Sequence, residues 1–110
     1  MSYNVKTTRY FEREVARLLK KYASLKGELK ELGDELSKNP EIGTSLGNNL
    51  YKIRLAIASK GKGKRGGARI ITYLKTKEGN IYLLTIYDKG EKDTISNSEI
   101  QNILASGMNI

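Results

Sequence analysis

The stretch LYKIRLAIASKGKGKRGGARIITYLKTKEGNIYLLTIYD, from Leu50 to Asp88, decides the fold, because its apolar residues recur with a period of two. In LYKIRLAIA, Tyr51, Ile53, Leu55 and Ile57 face one way and Lys52 and Arg54 the other. In ARIITYLK, Arg69, Ile71, Tyr73 and Lys75 share one face, and Ala68, Ile70, Thr72 and Leu74 share the opposite one. IYLLTIYD follows the short KEGN turn and is apolar on both faces, which predicts an interior strand covered on both sides. Three consecutive strands of this kind form an antiparallel meander, and such a sheet needs helices to cover it.

Those helices lie on either side of the meander in the chain. Alternation at Tyr3, Val5 and Thr7 predicts a first strand. Thr8 then caps a helix in which Phe11, Val15, Leu18 and Tyr22 form one apolar stripe, leaving Arg9, Arg13, Arg17, Lys20 and Lys21 exposed. After the ASLKG joint a second helix carries Leu29, Leu32 and Leu36 and stops before Pro40, so the two should form a hairpin. Its acids, Glu28, Glu31, Asp34 and Glu35, read as surface residues. NPEIGTSLGNN reads as a loop. Ser96 and Glu99 form a capping box at the start of a last helix through Ile100, Ile103 and Leu104. The expected class is α+β, in the order β-α-α-β-β-β-α, as a single domain over residues 1–110.

Residue types narrow the chemistry. The chain has no cysteine and no histidine, which excludes disulfides, thiolate or imidazole metal sites, and every triad or general base built on histidine. No metal or cofactor is expected. The N-terminus has no apolar signal region and no window is apolar enough to span a membrane, so a soluble, cytoplasmic protein is expected. The net charge is +8, and it is concentrated: residues Ile42 to Lys77 hold nine Lys or Arg and no acid, while the remainder holds eleven bases against twelve acids. Such a field attracts a polyanion.

Within that segment, Lys60 to Arg69 packs five cations and four glycines into ten residues. Gly61, Gly63 and Gly66 match the spacing of a dinucleotide fingerprint, but a strand rather than a helix follows, and no Gly-Lys-Ser or Gly-Lys-Thr forms a phosphate loop. The run reads instead as a long, mobile hairpin connection in which Lys60, Lys62, Lys64 and Arg65 give salt-sensitive, sequence-independent attraction to RNA phosphates. Arg69 differs, since a strand holds its guanidinium and its fork suits two oxygens of one phosphate. If the meander pairs as expected, Lys52, Arg54, Arg69, Tyr73 and Lys89 converge. Fixed cations beside a phosphodiester stabilise the charge that develops when a ribose 2′-hydroxyl attacks the phosphorus.

These residues carry a resemblance. YKIRLAIASKGKGKRGGARIITY followed by IYLLTIYDKGE resembles the HigB-type branch of the RelE/ParE toxin superfamily, from bacterial type II toxin–antitoxin modules. The likeness is dense from Leu50 to Glu91, and the preceding β-α-α order fits the RelE layout. It implies a RelE-like fold and a toxin that enters the ribosomal A site and cleaves mRNA without metal. It also implies a cognate antitoxin, in this branch often a helix-turn-helix protein of HigA type, which neutralises the toxin and brings it to operator DNA. Carried over by position, Lys52 and Arg54 match the basic residues of the second strand, Arg69 the arginine after the glycines, and Lys89 the basic residue after the last core strand. One departure concerns the proton acceptor. RelE has a catalytic tyrosine in its C-terminal segment, whereas nothing aromatic follows Tyr87 here, which leaves Tyr73, Tyr87 or a loop lysine. Other branches poison DNA gyrase without cutting RNA, so a gyrase inhibitor, a member that binds ribosomes or RNA without cleaving, and a non-toxic RNA-binding protein are the rival readings.

Overall fold

The computed structural model describes residues 2–61 and 63–107. Its core is a five-stranded sheet in the order β1-β5-β4-β3-β2. β1 (Asn4–Thr7) lies parallel to β5 (Asn80–Asp88); β2 (Thr44–Gly47), β3 (Leu50–Leu55), β4 (Ala68–Lys75) and β5 pair antiparallel in succession. The α+β class and the three-strand meander are as expected. The long apolar strand is interior and covered on both faces.

One face carries α1 (Arg9–Leu19) and α2 (Leu25–Lys38), whose Phe11, Leu18, Leu25, Leu32 and Leu36 pack on Ile53, Ile70, Ile81 and Ile86. The other face carries α4 (Asn97–Gly107), whose Ile100 and Ile103 cover Leu50, Ile71 and Leu84. Thr8 joins the first layer to the sheet. Its hydroxyl accepts from the Phe11 amide at 3.1 Å as a helix cap and donates to the Leu84 carbonyl at 2.6 Å. At the other end, Ser96 and Glu99 close their reciprocal cap. Helix α1 stops before Tyr22, which sits in the link, and α2 starts at Leu25, inside the expected joint. Among the described residues no helix is long and apolar enough to cross a membrane.

Three features depart from expectation. Residues 44–47 form a strand where a loop was expected. Gly47 and Leu50 are paired across Asn48 and Asn49, whose φ angles of 52° and 64° make the left-handed two-residue turn that suits a tight hairpin. The basic run is also not an open connection: Ala58–Lys60 is a 3-10 turn and Gly63–Gly66 a single helical turn, α3. Finally, the β4–β5 register shifts between Ile71, opposite Thr85, and Thr72, opposite Leu83, leaving Leu84 as an extra residue. This bulge reverses the alternation of β5, so that Tyr87 falls opposite Arg69 and Asp88 turns toward the helical hairpin.

Candidate functional site

The site is built from two rows of residues that cross the meander. One row is Lys52, Ile71 and Thr85; the next is Arg54, Arg69 and Tyr87. Arg54 and Arg69 are therefore direct cross-strand partners, a like-charge pairing that costs stability. Lys89 extends the second strand edge, its amide donating to the Gly67 carbonyl at 3.0 Å. Lys52, Arg54, Arg69 and Lys89 line one cavity of about 420 Å³ together with Thr44 and Leu46. No acid is among these lining residues.

The four cations are held differently. Arg69 is only 4 % exposed and donates to the Ala68 carbonyl at 3.0 Å, so the strand does fix it, while Arg54 is exposed. Lys89 reaches Asp93 at 2.6 Å and the Asp93 carbonyl at 2.8 Å. Lys89, and more weakly Lys52, hold the Asp93 carboxyl below the usual carboxylate range. Asp93 is thus a negatively charged rim residue that touches the cation group. Sequence reasoning missed it, because an exposed acid in a turn carries no local signal.

Tyr73 is not brought to this group. It shares the face of Arg69 but lies four residues along the strand, roughly 13 Å away, opposite Leu50, where it packs on the Leu50, Ile71 and Leu84 cluster. Tyr87 is the phenol beside the cations. Its hydroxyl is buried, and burial raises its pKa against the opposing pull of Arg69, so it keeps its proton.

Lys60 is placed elsewhere too. Its ammonium is turned inward onto the Asp88 carboxylate, and its side chain is 11 % exposed. Asp88 also accepts from the Tyr22 hydroxyl at 2.6 Å and the Gly90 amide at 2.9 Å. Burial pushes the Asp88 carboxyl up, but Lys60, Tyr22 and Gly90 outweigh it and bring its pKa to about 2. The same turn is held from α2: Glu28 accepts from the Ala58 amide at 2.7 Å, and Ser24 accepts from the Ser59 amide at 2.9 Å. Glu28, expected as an ordinary surface acid, is an anchor of the basic run. Lys62 lies outside the described residues, as do the side chains of Lys64 and Arg65. Among the described residues no group of acids is placed to hold a metal ion.

The molecule is thus a small α+β body with a cationic cavity across its meander. The model of the family described as the RelE toxin of the RelE / RelB toxin–antitoxin system matches residues 6–109, and the chain belongs to that family. Its fold is similar to that of a solved structure of a mutant E. coli toxin RelE in the free state. The TM-score is 0.62 at 15% sequence identity, covering 99% of this chain and 97% of that one.

Proposed function

We propose that this chain is a cytoplasmic toxin of HigB type that cleaves mRNA in the ribosomal A site, neutralised by a HigA-type helix-turn-helix antitoxin through which it reaches operator DNA. One observation carries the reading: Arg54 and Arg69 stand side by side on neighbouring strands, with Lys52 and Lys89 around the same cavity. Like charges kept together at a cost in stability suit a bound anion. In the proposed step the ribose 2′-hydroxyl loses its proton and its oxygen bonds to phosphorus. The P–O5′ bond breaks, the leaving oxygen takes a proton, and a 2′,3′-cyclic phosphate and a 5′-hydroxyl result. RNA supplies the nucleophile, while the protein supplies position and positive charge for the developing dianionic phosphorane. Arg69 and Arg54 hold the phosphate oxygens, and Lys52 and Lys89 add charge. Lys62, Lys64 and Arg65 give affinity for ribosomal RNA, and the paired Lys60 holds their turn in place.

Mapping mRNA 5′ ends after brief induction tests this. Wild type should produce cuts inside translated codons that vanish when translation is blocked, and Arg69→Ala or Arg54→Ala should reduce them roughly 100-fold or more while antitoxin binding persists. Undiminished toxicity of Arg69→Ala would remove Arg69 from the assignment. Intact mRNA with altered DNA supercoiling would point to a gyrase inhibitor.

A further inference from the structure

A second cavity, of about 290 Å³, adjoins the cationic one and shares Lys52 and Leu46 with it. Its chemistry is different. The floor is apolar, from Leu50, Ile71 and Ile100, which are themselves covered. Asn48 and Asn97 stand on its walls, and Lys52, at the shared boundary, is the only charged residue lining it among the described residues. Leu46 is 43 % exposed, one of two large apolar side chains among the described residues left so open.

We propose that this second cavity receives a nucleobase of the RNA whose phosphate lies on Arg54 and Arg69, and that it sets the base preference of the cut; the inference rests on the RNA-cleaving reading above. A nucleotide joins an anionic group to a flat ring that is apolar on its faces and polar at its edges. The two cavities present the same sequence of surfaces in the same order. Lys52 stands where phosphate gives way to base, Leu46 covers a ring face, and the amides of Asn48 and Asn97 each offer a donor and an acceptor to the ring edge. A carboxylate would repel the adjoining phosphate, and among the described residues none lines the cavity.

The test uses Leu46→Ala, Asn97→Ala and Asn48→Gly, glycine being chosen because Asn48 has a φ of 52° that alanine would strain. Each is induced briefly in cells, 5′ ends are mapped, and the bases flanking the cuts are tallied as proportions, which do not depend on total yield. Purified variants are checked for folding by circular dichroism. The expected result is a shift of about fivefold or more in relative base use for at least one asparagine variant, with broader base use for Leu46→Ala. If wild type cuts RNA and all three variants keep its base proportions, the inference falls and the cleavage reading stands. The same holds if the variants keep those proportions but escape the antitoxin, since the cavity would then hold a protein segment. If wild type cuts no RNA, the cleavage reading itself fails and takes this inference with it.

Discussion

Two adjacent rows at one end of the same sheet treat charge in opposite ways. In the row of Ala68 and Asp88, the carboxylate is buried beneath the helical hairpin and compensated by Lys60, Tyr22 and Gly90. One residue away, Arg54 and Arg69 lie abreast on the other face, around a cavity that no acid lines among the described residues. The first row ties the link between α1 and α2, the basic run and the end of β5 into one piece. The second gathers like charges on neighbouring strands, which is the arrangement proposed above to receive a phosphate. The basic run starts in the first arrangement at Lys60 and ends in the second at Arg69, so it is divided between the two.

Breaking the first row should cost most. Asp88→Ala leaves the covered Lys60 ammonium without its partner, and the expected loss is about 3–5 kcal/mol, read from urea unfolding midpoints. Adding Lys60→Met to Asp88→Ala should restore part of that loss. If the single variant unfolds like wild type, Asp88 does not hold the segments together.

The same row has a pH signature. The folded pKa of Asp88, about 2, lies below its ordinary 3.8, so its contribution is fully present above pH 4 and is lost as the pH falls through 2. The size is roughly 2 kcal/mol. Acid unfolding of Asp88→Asn should lack this component between pH 4 and 2, and an unchanged profile would reject it.

Beside the first row, Gly67 is a point of close approach. A Cβ there would lie 2.0 Å from the Leu55 carbonyl oxygen, which belongs to the neighbouring strand and can move only if the strands separate. Gly67→Ala is expected to destabilise by about 1–3 kcal/mol and to displace Arg69, two residues on, so cleavage should fall further than stability does. Equal stability and cleavage to wild type would show that the strands have room to part.

What was legible in the sequence follows the same division. Lys52, Arg54 and Arg69 could be placed on one face because β3 and β4 alternate cleanly, and a period of two fixes the side of each residue. β5 hides its alternation, being apolar on both faces, so nothing local marks the Leu84 bulge that puts Tyr87 beside Arg69 and sends Asp88 to the opposite face. The Asp88 pairings join residues 22, 60 and 88, and an acid at a strand end reads the same whether it is solvated or buried. The β2 strand did have a signal, the Asn48–Asn49 pair between Gly47 and Leu50, because asparagine accepts the left-handed conformation that a two-residue hairpin turn demands. Tyr73 was placed on the correct face, but a shared face does not bring together residues four positions apart along a strand.

The smallest effect bears most directly on the contrast between the rows, because it has the opposite sign from the others. Removing one member of a like-charge cross-strand pair relieves repulsion, so Arg54→Gln should raise stability, by about 0.2–1 kcal/mol, even though it removes a group proposed to hold the reacting phosphate. The exposed position of Arg54 keeps the substitution free of a packing penalty. Raising the salt concentration should shrink the gain, since screening already weakens the repulsion in wild type. Stability that rises while mRNA cleavage falls would show that this row is kept for its ligand at the expense of the fold. A fall in stability on Arg54→Gln would mean that Arg54 supports the structure, and the two rows would then differ in geometry alone.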